Sequence, residues 1–311
     1  MMDMIPQIDA GRVAESLPFP HLIDWLAVAF ARGTTAPLRQ RIDAPGDREM
    51  LVMPAVSERY AGVKLLTIVP DNPDNGRPLI HGLFTLFDLA SGEPLAILDA
   101  AELTARRTAA VSALAARALA RADASTLLLL GSGHLVPYLA EAHSAARPIR
   151  TVRIWARDAI KAAQTADRIR DRIPGIDVHV VADVQIAMKG SDIISAATRA
   201  TAPLIMGRWL EAGMHIDLVG GYRPHMREID DAGIARARLF VDTRDAALVE
   251  AGDLVEPIAR HIIGPEAVQG DLQDLVAGCG RRSADEITLF KSVGTAAADL
   301  AAAELVWNAR R

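Results

Sequence analysis

The sequence predicts an α/β protein in which a doubly wound parallel sheet is joined to an N-terminal α+β domain that the last helix completes. From Thr126 to Asp242, short apolar strands alternate with helical segments, which is the pattern of parallel crossover units. From Met50 to Leu98, strand-like runs follow one another through short turns, which is the pattern of an antiparallel meander. We therefore expect one domain over residues 1–122 and 288–311, and a second over residues 123–287.

Composition limits the function classes. The chain has 311 residues, enough for about two domains. Its formal net charge of −5 argues against nonspecific nucleic-acid binding, which needs a basic surface. A single cysteine, Cys279, excludes an intrachain disulfide framework and a multi-cysteine metal site, and it favours a reducing compartment.

We expect no targeting or membrane segment. Residues 1–6 lack a basic stretch followed by an apolar one, so no secretory signal is predicted. A long apolar run, Leu22 to Ala31, contains Asp24 and falls short of the ~18 residues that suggest a membrane span. A cytoplasmic protein is therefore expected.

The N-terminal elements follow from apolar spacing and turn residues. Leu22, Trp25 and Leu26 have helical spacing, which predicts a helix over Pro20–Arg32. A helix from Asp99 to Asp123 is predicted by its alanine content, with a second possible start at Thr108. The strands of the meander are predicted over Met50–Val56, Gly62–Val69, Leu79–Asp88 and Pro94–Leu98.

The second half of the chain supplies the crossover units. The last helix, Thr295–Trp307, lies beyond these units, and we expect it to pack on the first domain. The predicted strands are Thr126–Leu130, Thr151–Trp155, Val178–Val181, Asp192–Ala196, His215–Val219 and Leu239–Asp242, and the helices between the first of them are Leu135–Ala146, Asp158–Ile173 and Val184–Lys189.

A glycine pair occupies the position of a dinucleotide fingerprint. Gly131 and Gly133 follow a buried strand and precede a helix, where backbone N–H groups can hold a pyrophosphate. Val136 replaces the third glycine, so an ordinary Gly-rich turn is the alternative. At the next strand end, Arg157 suits a 2′-phosphate and Asp158 a free 2′-hydroxyl. We favour NADPH, with NADH possible; a solvated surface pair is the alternative.

Small residues follow two further strand ends. Ser195 to Thr198 come after one strand, and Val219 to Tyr222 come after another. Ligands of open α/β sheets collect at the carboxyl ends of strands, so these segments are candidates for the nicotinamide end of a cofactor. Ordinary turns are an equally good interpretation of each segment alone.

Three cations of the first domain are candidates for an anion site. Lys64 lies within an apolar strand, where a charge needs a partner such as a substrate carboxylate. Arg39 and Arg107 lie near predicted element ends, and Arg107 precedes a predicted helix start. Taken singly, each is more readily explained as a surface cation. His81 is either a cofactor contact or a core histidine.

Three common catalytic motifs are absent from the sequence. It contains no His-Glu-x-x-His, no Gly-x-Ser-x-Gly and no Walker Gly-Lys-Ser/Thr. Metal-dependent hydrolysis, serine hydrolysis and P-loop phosphotransfer therefore lose support. No metal site is expected.

Several ordered motifs resemble one family. They are Gly62–Lys64, Leu103–Ala110, Gly131–Gly133, His215–Gly220, Arg223–Glu228 and Asp285–Thr295. On these motifs, and over nearly its whole length, the chain resembles the ornithine cyclodeaminase/μ-crystallin family of NAD(P)-binding proteins. The resemblance implies a Rossmann domain and an N-terminal domain that binds substrate and forms a homodimer.

The resemblance also implies site residues. Arg39, Lys64 and Arg107 would hold a substrate carboxylate, with Arg41 a neighbour of Arg39. The cofactor would contact His81, Arg107, Thr108, Gly131, Ser132, Gly133, His134, Leu135, Ala156, Arg157, Asp158, Ser195, Ala196, Ala197, Thr198, Val219, Gly220, Gly221, Ser292, Val293 and Gly294.

One departure from the family pattern narrows the activity. Cyclodeaminases carry an aspartate just after the Val-Gly-Gly turn, and here Tyr222 stands in that position. A phenol with a pKa near ~10 is a poor carboxylate substitute. The sequence is more similar to the branch of the family that reduces cyclic imines. In that branch we expect Tyr222 to contact the substrate.

Three alternative functions stay open: an ornithine cyclodeaminase, an alanine-type dehydrogenase and an NADPH-dependent carboxylate-binding protein. Among possible counter-charges, Asp217 and Glu228 have no assigned place.

Overall fold

The computed structural model describes residues 4–310 and separates the chain into two compact units. Unit 1 contains the chain up to Thr108 and again from Thr295, and unit 2 contains Ala109 to Gly294. Within the described residues, no helix is both long and apolar enough to cross a membrane. The predicted α/β fold with a doubly wound parallel sheet is confirmed.

Unit 1 is built on a six-stranded sheet with the order β1-β6-β5-β4-β3-β2. Strands β2 to β6 pair antiparallel with their neighbours, as predicted for the meander, and β1 pairs parallel with β6. The strands are β1 (Gln7–Ile8), β2 (Gln40–Ala44), β3 (Arg48–Val56), β4 (Tyr60–Ile68), β5 (Ile80–Asp88) and β6 (Pro94–Asp99).

Helices cover one face of this sheet. They are α1 (Ala10–Ser16), α2 (Phe19–Arg32) and α11 (Ala296–Asn308), and α11 packs against α2, β3 and β4. The last helix therefore belongs to unit 1. Sequence reasoning missed β2 because all five of its residues are exposed and show no apolar alternation.

Helix α3 (Ala100–Leu119) is one continuous helix. Asp99 accepts a hydrogen bond from the Glu102 N–H at 2.8 Å, so it caps this helix. The second helix start at Thr108 is wrong, because Thr108 lies in the middle of α3. The alanine-rich sequence propagates the helix through this point without interruption.

Unit 2 is built on eight parallel strands with the order β13-β12-β14-β11-β10-β7-β8-β9. The strand order reverses between β7 and β10, and crevices at such points bind ligands. The strands are β7 (Thr126–Leu130), β8 (Thr151–Trp155), β9 (Asp177–Val180), β10 (Ile193–Ala196), β11 (His215–Leu218), β12 (Arg238–Val241), β13 (Val268–Gly270) and β14 (Thr288–Lys291).

Seven helices of the described chain lie between these strands. They are α4 (Val136–Ala146), α5 (Ala159–Arg172), α6 (Val184–Met188), α7 (Asp231–Arg236), α8 (Arg244–Glu250), α9 (Gly252–Ala259) and α10 (Leu272–Val276). All four residues of β10 and of β11 are buried, as expected for central strands of a parallel sheet.

Both predicted boundaries need correction. Residues 109–122 were expected in the first domain, but unit 2 begins at Ala109, within the continuous helix α3. Residues 288–294 were expected in the first domain, but β14 lies between β12 and β11 in the middle of the unit 2 sheet. The segment before it, residues 277–286, is a polar loop and resembles a domain boundary in the sequence. A four-residue strand that ends in a lysine gives little apolar signal of its own.

Candidate active site

Unit 1 holds a buried cluster of two cations and one carboxylate. Lys64 lies on β4, Arg107 on α3 and Asp299 on α11. The Lys64 Nζ lies 2.9 Å from Asp299 Oδ1 and 2.8 Å from Oδ2. The Arg107 Nε lies 2.7 Å from Asp299 Oδ1. Because Lys64 and Asp299 are fully buried and Arg107 is only 4% exposed, these charges depend on one another.

The cluster has unused capacity to bind an anion. Its two cations face one carboxylate, which leaves a formal excess of one positive charge. The Arg107 Nη1 is buried and has no hydrogen-bond acceptor within residues 4–310. A carboxylate that accepted from this N–H would satisfy the donor and offset the excess charge.

Lys64 titrates near neutral pH. Burial and the Arg107 charge lower the pKa of Lys64 from 10.5 to about 7, although Asp299 acts in the opposite direction. The charge of Arg39 lowers this pKa further, which places Arg39 within electrostatic reach of the cluster. Asp299 is therefore the partner that favours the charged form of Lys64 against burial and the neighbouring cations.

Arg39 and Arg41 are separated by the structure. Arg39 is half-buried, just before β2. Arg41 is exposed, and its Nε lies 3.6 Å from Glu49 Oε2 on the neighbouring strand. Of the two arginines, Arg39 is the one whose charge acts on Lys64, and its place in the anion site stays a prediction.

The structure does not bring His81 to this cluster. His81 pairs with Thr67 across β4 and β5, whereas Lys64 pairs with Phe84. Because side chains alternate along a strand, His81 and Lys64 lie on opposite faces of the sheet. Thr108 is buried next to Arg107 in the middle of α3.

In unit 2, the predicted dinucleotide turn has suitable geometry. Gly131 has a φ of 124°, and a Cβ there would lie 2.7 Å from the Ala197 carbonyl oxygen. A Cβ at Gly133 would meet nothing within 4 Å, so the backbone there is open to a ligand. Ser132 and Leu135 are half-buried and His134 is exposed, just before α4. These residues fit a bound pyrophosphate.

The end of β8 separates Arg157 from Asp158. Asp158 is the N-cap of α5, and its Oδ1 accepts from the Ile160 and Lys161 N–H groups at 3.0 and 3.1 Å. Arg157 is exposed and makes no ion pair with any residue of the described chain. Ala156, before it, is half-buried. The Asp158 carboxylate is thus engaged in capping α5, whereas the exposed Arg157 guanidinium is accessible to a ligand phosphate.

Two loops meet at the carboxyl ends of β10 and β11. The first begins with Ala197 and Thr198, directly after Ser195 and Ala196 at the end of β10, and the second contains Val219, Gly220 and Gly221. A Cβ at Gly220 would lie 2.0 Å from the Thr198 carbonyl oxygen, so only glycine allows this contact. The two loops are therefore packed backbone against backbone at the carboxyl ends of β10 and β11, next to the switch point between β7 and β10.

A third segment follows β14. The buried Asp242 Oδ2 accepts from the Ser292 hydroxyl and from the Val293 N–H, both at 2.9 Å, and from the Gly294 N–H at 2.6 Å. This carboxylate fixes the backbone of all three candidate residues. Sequence reasoning missed Asp242, since nothing in its own segment signals a partner fifty residues later.

The two unplaced carboxylates lie in unit 2. Asp217 accepts from the Ser195 hydroxyl at 2.6 Å and lies 3.3 Å from His143 Nε2. Burial opposes its ionisation, but these partners hold its pKa below the usual value. Glu228 binds the loops of Thr198 and Gly220. The carboxylate that offsets the cations of unit 1 is Asp299.

Tyr222 packs at the edge of the unit 2 core. Its ring is half-buried against the apolar cluster of the sheet, and the Arg223 guanidinium carbon lies 5.7 Å from the ring centroid. The Tyr222 N–H donates to the Gly220 carbonyl at 3.0 Å. A substrate contact by the phenol stays a prediction.

Comparisons with known proteins agree with these motifs. A model of the ornithine cyclodeaminase/mu-crystallin family matches residues 13–311. A Delta(1)-pyrroline-2-carboxylate reductase of Colwellia psychrerythraea is 38% identical over 307 residues, which cover 96% of this chain and 97% of that protein.

Two solved structures share the fold. The Delta(1)-pyrroline-2-carboxylate reductase of Thermococcus litoralis, in complex with NADH and L-proline, has a TM-score of 0.93 at 29% identity. The match covers 98% of this chain and 97% of that one. An archaeal alanine dehydrogenase dimer with bound NAD has a TM-score of 0.91 at 27% identity, covering 98% and 95% of the two chains.

Proposed function

Because the chain belongs to the ornithine cyclodeaminase/mu-crystallin family, we propose that it is an imine reductase acting on cyclic imino acids. Its substrates are Δ1-pyrroline-2-carboxylate, which gives L-proline, and Δ1-piperideine-2-carboxylate, which gives L-pipecolate. The C=N carbon gains a hydride and the nitrogen gains a proton. A nicotinamide cofactor, when bound, supplies the hydride.

The buried cluster of unit 1 carries this proposal. Lys64 and Arg107 hold the substrate carboxylate, with the free Arg107 Nη1 as one donor. Fixing the carboxylate fixes the C=N carbon, and such positioning accounts for a large part of the barrier to a two-reactant step.

Asp299 explains how three cations tolerate a protonated imine. Arg39, Lys64 and Arg107 contribute three formal positive charges, while Asp299 and the substrate carboxylate contribute two negative charges. The net charge around the imine is then +1 rather than +2. The smaller repulsion favours the iminium, which accepts hydride more readily than the neutral imine.

The assay that tests the proposal follows NADPH oxidation at 340 nm with purified protein. The two cyclic imines are expected to give rapid oxidation, while pyruvate with ammonia gives little. Ornithine with NAD is expected to release no ammonia, since Tyr222 replaces the cyclodeaminase aspartate. Activity with pyruvate and ammonia alone would favour the alanine dehydrogenase alternative. Binding of NADPH and a carboxylate without turnover would favour the carboxylate-binding alternative.

We propose NADPH as the preferred cofactor, because Arg157 is exposed and unpaired in the described chain while Asp158 caps α5. Arg157→Ala is expected to weaken NADPH binding about tenfold or more, since one guanidinium–phosphate contact is lost, and to change NADH binding by less than about twofold. Titration calorimetry with both dinucleotides measures this. Equal losses for both would contradict the assignment.

We propose a homodimer formed through the face of the unit 1 sheet that lies opposite Lys64. Val52, Leu65 and Leu83 are cross-strand neighbours on the face opposite Lys64. Leu83 is 38% exposed, and Ile42 and Met50, which pair on β2 and β3, are 52% and 36% exposed. Half-exposed apolar side chains in one continuous patch mark a protein interface.

Leu83→Glu is expected to convert the dimer to a monomer of 33.3 kDa, because a buried carboxylate without a partner disrupts an apolar interface. Light scattering after size exclusion measures the mass. Leu89→Glu, in the turn after β5 and 43% exposed, is the matched control and should stay dimeric. A monomeric wild type would rule out this interface.

A further inference from the structure

One fully buried carboxylate joins the two loops at the ends of β10 and β11. The Glu228 Oε1 accepts from the Thr198 N–H at 2.8 Å and from the Thr198 hydroxyl at 2.7 Å. Its Oε2 accepts from the Gly220 N–H at 2.9 Å and from the Gly221 N–H at 3.3 Å. Three backbone N–H groups and one hydroxyl thus donate to the two oxygens, and such donors favour the ionised form of the carboxylate.

A second buried carboxylate, Asp253, and the Lys291 ammonium lie next to Glu228. The Asp253 Oδ1 accepts from the Glu228 and Ile229 N–H groups at 2.7 and 3.2 Å. The Lys291 Nζ lies 3.2 Å from Asp253 Oδ2 and 4.0 Å from Glu228 Oε2. Asp253, Glu228 and Lys291 are all fully buried. Two carboxylates facing one ammonium leave a formal negative charge under the loops.

The two glycines of the second loop pack directly against this array, with no room for a side chain. A Cβ at Gly220 would lie 2.4 Å from Glu228 Oε1, and a Cβ at Gly221 would lie 2.7 Å from Asp253 Oδ2. Burial raises the pKa of Glu228 to about 7, while Lys291 and the Thr198 donors lower it and Asp253 raises it. The carboxylate is therefore ionised above neutral pH.

This inference rests on the proposed function, which places the nicotinamide end of the cofactor at these loops. We propose that Glu228 is a positioning residue that fixes the spacing of the two loops and supplies a buried negative charge favouring the oxidised, cationic ring. The reduced ring is neutral and gains nothing from this charge. Glu228 thus acts on the balance between the two redox forms of the bound cofactor.

The test measures the dissociation constants of NADP⁺, NADPH and 2′-phospho-ADP-ribose at pH 8.5 by calorimetry. In Glu228→Gln, the Kd ratio of NADP⁺ to NADPH is expected to rise about fivefold, the order expected for one charge near a protein site. Binding of 2′-phospho-ADP-ribose, which lacks the nicotinamide, should stay within about twofold of wild type. An unchanged ratio would overturn the proposal.

Two further variants separate charge from packing. Thr198→Val removes one hydroxyl donor but keeps the carboxylate, so it should weaken NADP⁺ and NADPH equally. Glu228→Asp keeps the charge on a shorter side chain and should retain the wild-type Kd ratio of NADP⁺ to NADPH.

If Glu228→Gln does not fold, Asp253→Asn replaces it, and a smaller rise of the same Kd ratio is expected. If the wild type binds none of the three ligands, the proposed dinucleotide site itself is wrong and this inference falls with it.

Discussion

Lys64→Met is expected to lower kcat/KM for Δ1-pyrroline-2-carboxylate by about a hundredfold to a thousandfold, the usual loss when one partner of a buried charge pair is removed. The Kd of NADPH should change by less than about twofold. The variant is expected to fold, because Asp299 keeps Arg107 as a partner and methionine fills the space of the lysine stem. Steady-state kinetics and NADPH fluorescence measure the two quantities.

Lys161→Met is the matched control, since Lys161 is exposed on α5 and should retain full activity. Normal turnover by Lys64→Met would remove Lys64 from the site.

Binding of pyrrole-2-carboxylate adds a pH test that substrate protonation does not disturb. Because the pKa of Lys64 is lowered to about 7, its charge is present below that pH and lost above it. Wild-type affinity should therefore fall as pH rises through about 7, and Lys64→Met should show no such fall.

Asp299→Asn is expected to destabilise the protein by about 3 kcal/mol, because it leaves Lys64 and Arg107 buried without a counter-charge. Loss of Asp299 also removes an interaction that raises the pKa of Lys64, so more of the lysine becomes neutral. Thermal unfolding measures the loss as a midpoint lower by several degrees.

Pyrrole-2-carboxylate distinguishes a site role of Asp299 from a purely structural one. Its carboxylate replaces the missing charge, so it should raise the unfolding midpoint of Asp299→Asn more than that of the wild type. Asp171→Asn, an exposed aspartate on α5, should unfold like the wild type. Equal stabilisation of Asp299→Asn and wild type by the ligand would contradict the account of the cluster.

The sequence predicted one half of the buried cluster and missed the other. Lys64 stood out as a charge inside an apolar strand, which implied a partner. The same argument applies to Asp299, which is the one charged residue between Ala296 and Ala303. The alanine content of this segment predicted a helix, and Asp299 was not recognised as a buried partner. The pairing itself joins residues 235 positions apart, and no local pattern encodes such a contact.

The parallel sheet was predictable because its strands are buried and regularly spaced, and the glycine turn because its local geometry needs glycine. The buried charged side chains that hold the loops in place were not predictable from the sequence. Asp242, Asp253 and Lys291 each act on a segment far away in the chain. The predicted helix start after Arg107 was wrong, because Arg107 lies in the middle of α3 and pairs with Asp299. Its contact with a substrate stays a prediction.

The most direct test of the central claim follows the transferred hydrogen. NADPH deuterated at nicotinamide C4, on the transferred face, is incubated with the protein and Δ1-pyrroline-2-carboxylate, and the product is analysed by mass spectrometry and NMR. The account predicts L-proline with one deuterium at Cα. Unlabelled proline, or no proline despite bound NADPH, would contradict hydride transfer to the C=N carbon.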